Sequence, residues 1–214
     1  MSIFRNQASF SEYVKEHPVT TVILFLNTLM LFVTFFLSVN YGSGISQFST
    51  RALIDLGGLV PYYVTEYNEY HRLIAAMFLH GSLLHFLANA IIGIYVLSGG
   101  LEKLVGSLKF FGIYMLGGIG ASFIVLFTND PISLTIGASG AIFAVLGSLL
   151  YIIIYRGDLL TLQDKQTIKT LIILNIIFTF IGGNISIAGH LGGFATGFVL
   201  SYLFIRRNVF KVLD

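Results

Sequence analysis

The stretch VTTVILFLNTLMLFVTFFLSV, residues 19–39, is 21 residues long and carries no charge. As a helix rising about 1.5 Å per residue it reaches roughly 30 Å, the thickness of a bilayer's hydrocarbon core. Pro18 precedes it, and residues 1–18 are polar and mixed, with Arg5, Glu12, Lys15, Glu16 and His17. A removable signal would have a shorter apolar region and an A-x-A-like site. Ser38-Val39-Asn40-Tyr41-Gly42 resembles one weakly, so the run is expected to stay as a span.

The whole composition agrees with that reading. Of 214 residues, 56% are hydrophobic and 10% charged, with a mean hydropathy of +0.87, whereas soluble domains carry about 25% charged residues. An integral membrane protein is therefore expected. A net charge of +2 without a basic block gives no basis for a nucleic-acid partner. The absence of cysteine excludes disulfides, thiolate metal sites and cysteine nucleophiles.

Five more apolar segments follow, at about 79–101, 108–127, 138–155, 170–182 and 187–205. Polar punctuation separates them: Glu102-Lys103, Asn129-Asp130-Pro131, Arg156-Gly157-Asp158 and Gly182-Gly183-Asn184. Between the first two spans, Asn40 to Met77 mixes Asp55, Glu66, Glu69 and Arg72 with many apolar residues and tyrosines. That mixture suits a large interfacial loop with short amphipathic helices. The expected fold is an all-α membrane protein, a six-helix bundle over residues 19–207, with a short lead-in at 1–18 and a tail at 208–214. With the N-terminus inside, ten of the twelve Lys and Arg residues fall on the inner side, leaving Arg51 and Arg72 outside. The positive-inside rule then puts both termini in the cytoplasm.

On this topology several groups unusual in a membrane gather toward the outer side. His80, His85 and Asn89 enter the second span, Ser139 starts the fourth in Gly137-Ala138-Ser139-Gly140, and His190 lies near the start of the sixth. Intramembrane polar groups face a bundle interior, a cavity or a partner. His85 and Asn89, four residues apart, share a helix face about 40° wide and both can donate hydrogen bonds to a developing oxyanion. An interhelical hydrogen bond is the alternative use for them. His80, about 140° from His85 on the same projection, is expected to hold the outer loop instead. That offset, with no H-x-x-x-H pair, argues against a three-ligand zinc site, and no metal or other cofactor is expected.

Gly189, Gly193 and Gly197 recur every fourth residue in the sixth span, and the fourth answers with Gly140, Ala144 and Gly147 or Ser148. Small residues at that spacing let two helices pack backbone to backbone. Such packing would carry His190 to Ser139 as base to nucleophile, while Ser139 at a helix N-terminus has unpaired N–H groups beside it. A packing contact alone remains the plainer reading of each motif. No acidic third member is visible, since Asp130 lies in a turn nine residues before Ser139.

Taken together, His80-Gly81-Ser82-Leu83-Leu84-His85-Phe86-Leu87-Ala88-Asn89, Gly137-Ala138-Ser139-Gly140 and Gly189-His190-Leu191-Gly192-Gly193 resemble the rhomboid intramembrane serine proteases. The resemblance runs from the first span to the sixth. It implies a cofactor-free six-helix core that cleaves single-pass membrane proteins near the outer bilayer surface, often after a small residue. Ser139 would be the nucleophile, His190 its base, and His85, Asn89 and the backbone N–H of Ser139 the oxyanion donors. Glu102 matches an acidic position at the inner end of the second helix. Two positions depart from the pattern: His71-Arg72, where many members have tryptophan before the arginine, and Phe143, where some have a tyrosine packed on the histidine. Other expectations are single-pass membrane substrates and lipid as partners, a bacterial inner membrane as location, and a gate at the short fifth span. A client-binding pseudoprotease and a small transporter are the rival readings; the second would spread polar groups over several depths or repeat broken helices.

Overall fold

The computed structural model describes residues 2–4, 9–44, 46–183 and 185–205. The 208–214 tail lies outside these residues, as do Arg5, Arg206, Arg207 and Lys211 from the inner charge set. The described chain is helical apart from loops and one antiparallel bridge between Leu59 and Thr135. A short helix α1 (Phe10–Glu16) leads into α2 (Pro18–Asn40). The loop that follows α2 holds α3 (Thr50–Asp55), α4 (Pro61–Tyr67) and α5 (Arg72–Ala75). Then come α6 (Leu83–Val105), α7 (Ser107–Thr128), α8 (Ser139–Tyr155), α9 (Leu162–Ile181) and α10 (Ile187–Phe204). Over Ala88–Ser98, α6 widens into a π-helix.

Among the described residues, α2, α6, α7 and α10 are long and apolar enough to cross a membrane. The chain is an all-α membrane protein, and its surface is inverted relative to a soluble one. On α2 the bundle side carries Thr20, Ile23, Asn27, Leu31, Thr34 and Ser38, all buried, while Phe25, Phe32 and Phe36 are exposed. Two of the inward polar groups bond within their own helix: Asn27 Nδ2 donates to the Ile23 carbonyl at 2.8 Å and Thr34 Oγ1 to the Met30 carbonyl at 2.7 Å. Aromatic rings toward lipid cost nothing, and self-bonded polar groups allow close helix contact.

Helix α8 is the centre. Every residue from Ala141 to Leu149 is buried, which is how a helix apolar on all sides has to sit. Its 17 residues cover only about 25 Å, short of a hydrocarbon core roughly 30 Å thick. The start of α2 is tied to the end of α6 by Glu102, whose carboxylate accepts from the Val19 N–H at 3.0 Å, the Thr20 N–H at 2.8 Å and Thr20 Oγ1 at 2.6 Å. These amides belong to the first turn of α2 and have no intrahelical partner, so Glu102 caps one helix from another.

Helix α9 starts at Leu162, not near Thr170 as the apolar pattern predicts. Gln163, Asp164, Lys165, Gln166 and Lys169 occupy its first turns. A capping box closes the new start: Thr161 Oγ1 accepts from the Asp164 N–H at 3.1 Å, and the Asp164 carboxylate accepts from the Thr161 N–H at 3.1 Å. Hydropathy misses these turns because they are charged, although their local chemistry is that of a helix start.

Candidate active site

The outer loop braces the segment that presents Ser139. Leu59 and Thr135 exchange backbone hydrogen bonds at 3.0 and 2.8 Å, the Tyr62 N–H donates to the Pro131 carbonyl at 2.9 Å, and the Gly137 N–H to the Ala76 carbonyl at 2.9 Å. Arg72 is buried and holds the loop together, donating to the Ile54 and Gly58 carbonyls at 2.7 and 2.8 Å and pairing with Glu69 at 2.6 Å. Asp130 serves the turn itself, accepting from the Ile132 N–H at 2.9 Å. Gly137 has φ +120°, a conformation open to glycine, and α8 then begins at Ser139.

His85 lies against this turn. A methyl group added to Gly137 would sit 2.9 Å from His85 Nε2 and 3.7 Å from Ser139 Oγ. The imidazole and the serine hydroxyl thus border one methyl-sized space that only glycine leaves open. Asn89, one turn along α6, is buried and gives one N–H of its amide to the His85 carbonyl at 3.0 Å, which fixes the side chain and leaves its second N–H.

His80 departs from the helical spacing expected between it and His85. It is not on the helix, because Ser82 caps α6 by accepting from the His85 N–H at 3.1 Å. The chain turns there, and the His80 ring meets the His85 ring edge-on at 5.0 Å and Phe86 at 5.4 Å. The 140° helical offset therefore does not apply. His80 is fully buried, and neither of its ring nitrogens has a hydrogen-bond partner. Burial, then the neighbouring His85, holds its imidazole well below the usual histidine range, in the neutral form. Among the described residues, no group of three or more His, Asp or Glu side chains is disposed to hold a metal.

Helices α8 and α10 meet at their backbones. A Cβ on Gly193 would lie 2.1 Å from the Gly140 carbonyl oxygen, one on Gly197 2.0 Å from that of Ala144, and one on Gly147 2.0 Å from that of Phe194. Gly189, the first member of the predicted stripe, instead faces Ser186 and Val125. Helix α7 joins the contact, with Gly117 against Ala144, Gly120 against Thr196 and Ile124 against Gly192. Ser139 precedes Gly140 and His190 lies one turn before Gly193, so the crossing brings both to the same place. A Phe143 ring one turn after Ser139 stacks on His190 at 4.0 Å and 16°. One nitrogen of that imidazole, Nδ1, is 2.8 Å from Thr179 Oγ1 of α9. Among the described residues no hydrogen bond joins Ser139 to His190 directly; such bonds are commonly long before substrate binds.

Ser139, His190, His85 and Asn89 all line one cavity of about 490 Å³. Its other wall is apolar, with Ile92 of α6 and Leu174 and Phe178 of α9. A hydroxyl, an imidazole and a set of fixed N–H donors at the end of an apolar cleft suit acyl transfer on a substrate that is itself largely apolar. Thr179 is the residue the sequence reading passes over. It lies in an apolar run and meets His190 across a turn, so neither spacing nor periodicity points to it.

The sequence profile of the Rhomboid domain matches residues 67–207. YdcA of Bacillus subtilis (strain 168) is 29% identical over 207 residues, covering 96% of this chain and 98% of its own. Rhomboid protease GluP of the same organism is 32% identical over 170 residues, 79% of this chain but 32% of the longer GluP. Inactive rhomboid protein 1 of Danio rerio is 32% identical over 165 residues, 75% of this chain and 19% of its own.

Proposed function

The chain belongs to the rhomboid family, and on that premise we propose that it is an intramembrane serine endopeptidase working through Ser139 and His190. The observation carrying this reading is the α8–α10 crossing, where Gly193 against Gly140 brings a helix-start serine and an imidazole stacked on Phe143 to one cavity wall. In the proposed reaction, Ser139 Oγ attacks the scissile carbonyl carbon as His190 Nε2 takes the hydroxyl proton. The carbonyl oxygen becomes an oxyanion, held by the Ser139 N–H, His85 and Asn89. His190 then passes the proton to the departing amine, the C–N bond breaks, and an ester to Ser139 remains. Water, deprotonated by His190, attacks that ester and frees the serine. Phe143 keeps the imidazole plane fixed through both transfers.

The substrates are single-pass transmembrane proteins cut near the outer side of a bacterial plasma membrane, with residues 19–207 as the protease domain and both termini cytoplasmic. The Lys and Arg distribution supports that orientation. Lipid is the standing partner, and no cofactor enters the reaction. Helix α9 with its following turn is the gate. Ile173, Ile177, Phe178 and Ile181 on α9 and Leu84, Leu87 and Ile91 on α6 are exposed, so the cavity wall between these helices is finished by lipid or by a guest helix.

Purified protein incubated with a single-pass substrate tests the reading. Ser139→Ala and His190→Ala lower cleavage by roughly a thousandfold or more, with substrate binding kept. Cleavage persisting in Ser139→Ala sinks the nucleophile assignment. Wild type that binds but never cuts would place the chain beside its relative named as inactive.

A further inference from the structure

We propose that Thr179 of α9 is the positioning residue for His190, the part that a third member plays in a serine-histidine-acid triad. The proposal rests on His190 acting as the base. Thr179 is 2% exposed, and its hydroxyl oxygen makes two contacts of 2.8 Å, one with the Asn175 carbonyl and one with His190 Nδ1.

The proton count decides what these contacts mean. A threonine hydroxyl has one hydrogen and two lone pairs, and a carbonyl oxygen accepts only. Thr179 therefore spends its single proton on the Asn175 carbonyl, as Thr28, Thr34 and Thr196 spend theirs on the carbonyl four residues back. A lone pair is left facing Nδ1, so Nδ1 carries the hydrogen and donates it. With the proton on Nδ1, the neutral ring has its free lone pair on Nε2, the tautomer a base for Ser139 needs. The reverse arrangement sets two acceptors, Thr179 Oγ1 and the Asn175 carbonyl, 2.8 Å apart with no hydrogen between them.

The same bond fixes ring rotation, which the Phe143 stack leaves open, since stacking holds a plane but not an orientation within it. It also keeps an acceptor in place when Nε2 takes the serine's proton. Thr179 rides on α9, so the base is fully set only while that helix is seated.

The test compares cleavage of a single-pass substrate by full-length wild type, Thr179→Val and Thr179→Ser, with Ser139→Ala and His190→Ala as controls. Valine keeps the shape and removes the acceptor. Losing one hydrogen bond to a group that becomes charged corresponds to about tenfold to hundredfold in kcat, with KM within about twofold. Serine restores the rate to within about threefold, because it restores the acceptor. Nitrogen-15 spectra of histidine-labelled protein show His190 as the Nδ1–H tautomer in wild type and as a mixture in Thr179→Val. Should the valine variant not fold, Thr179→Ala supplies the same comparison. A valine or alanine variant with wild-type kcat and tautomer overturns the proposal, as does a loss that serine does not rescue. Neither result touches the dyad, which fails separately if His190→Ala still cleaves.

Discussion

Two helices flank α8 in opposite ways. Against α10 the contact is backbone on backbone, with no room for even a methyl group at Gly147, Gly193 or Gly197. Against α9 the contact is thin. Ile173, Leu174, Ile177, Phe178, Phe180 and Ile181 are all exposed, and Thr179 is one of the few buried residues of that helix. The α8–α10 crossing holds Ser139 and His190 in a fixed relation, because backbone carbonyl groups cannot yield. The α9 side forms a wall with few buried contacts, which suits the proposed gate. The proposed cleavage of a substrate that enters from the lipid would use both properties within one turn of helix.

The largest effect belongs to the tight side. Gly197→Val places a branched side chain where a Cβ alone would be 2.0 Å from the Ala144 carbonyl oxygen and 2.5 Å from its carbon atoms. Backbone cannot rotate aside as a side chain does, so the helices must separate, at about 3 kcal/mol or more. Thermal unfolding in detergent should move down sharply and cleavage should vanish. Gly183→Ala, where nothing lies within 4 Å, is the control and stays within about 0.5 kcal/mol of wild type. A Gly197→Val protein as stable as wild type would break the comparison.

Second in size is the loose side. The chain has no cysteine, so a pair introduced at Ile92 and Phe178, which line the same cavity from α6 and α9, is free of competing thiols. Joining the two with a short bifunctional reagent should remove most cleavage of a membrane substrate. Labelling of Ser139 by a small serine-directed reagent should continue. Unimpaired cleavage after crosslinking would move the gate elsewhere.

How much of this was legible follows the same division. The tight side writes itself into composition, because only small residues at intervals of four permit a carbonyl to touch a neighbouring helix. Gly193 and Gly197 opposite Gly140 and Ala144 were readable on that ground. What the pattern did not carry was the third partner, α7, whose Gly117 and Gly120 fall outside that stripe yet close the same crossing. The loose side left weaker marks. Charges at Asp164, Lys165 and Lys169 hid the first turns of α9, since hydropathy registers lipid exposure and not hydrogen bonding. Thr179 lay in an apolar run where a threonine is usually self-bonded packing. Its link to His190 depends on how a turn folds two helices together, which no local pattern records. His80 is hidden for a related reason: it precedes the Ser82 cap that starts α6, so helical spacing does not relate it to His85.

The smallest effect probes where the loose side ends. At the inner end of α9, one carboxylate oxygen of Asp164 accepts from Thr161 Oγ1 at 2.7 Å and the Thr161 N–H at 3.1 Å; the other accepts from Ser2 Oγ and from the Ile3 N–H at 3.2 Å. Asp164→Asn has one oxygen for these two sets of donors. Its amide must face either the helix cap or the N-terminal segment, where a donor meets donors. The loss is about 1 kcal/mol, the worth of a cap or of one or two net hydrogen bonds. Cleavage should not fall with it, because Thr179 lies about four turns along α9 and the cavity lining begins about two turns along, at Leu171, so a weaker anchor at the start of the helix leaves both in place. Thermal unfolding and kcat measured on the same preparation separate the two. If kcat drops in step with stability, the inner end of α9 belongs with the rigid core, and only the outer turns around Phe178 are free to move.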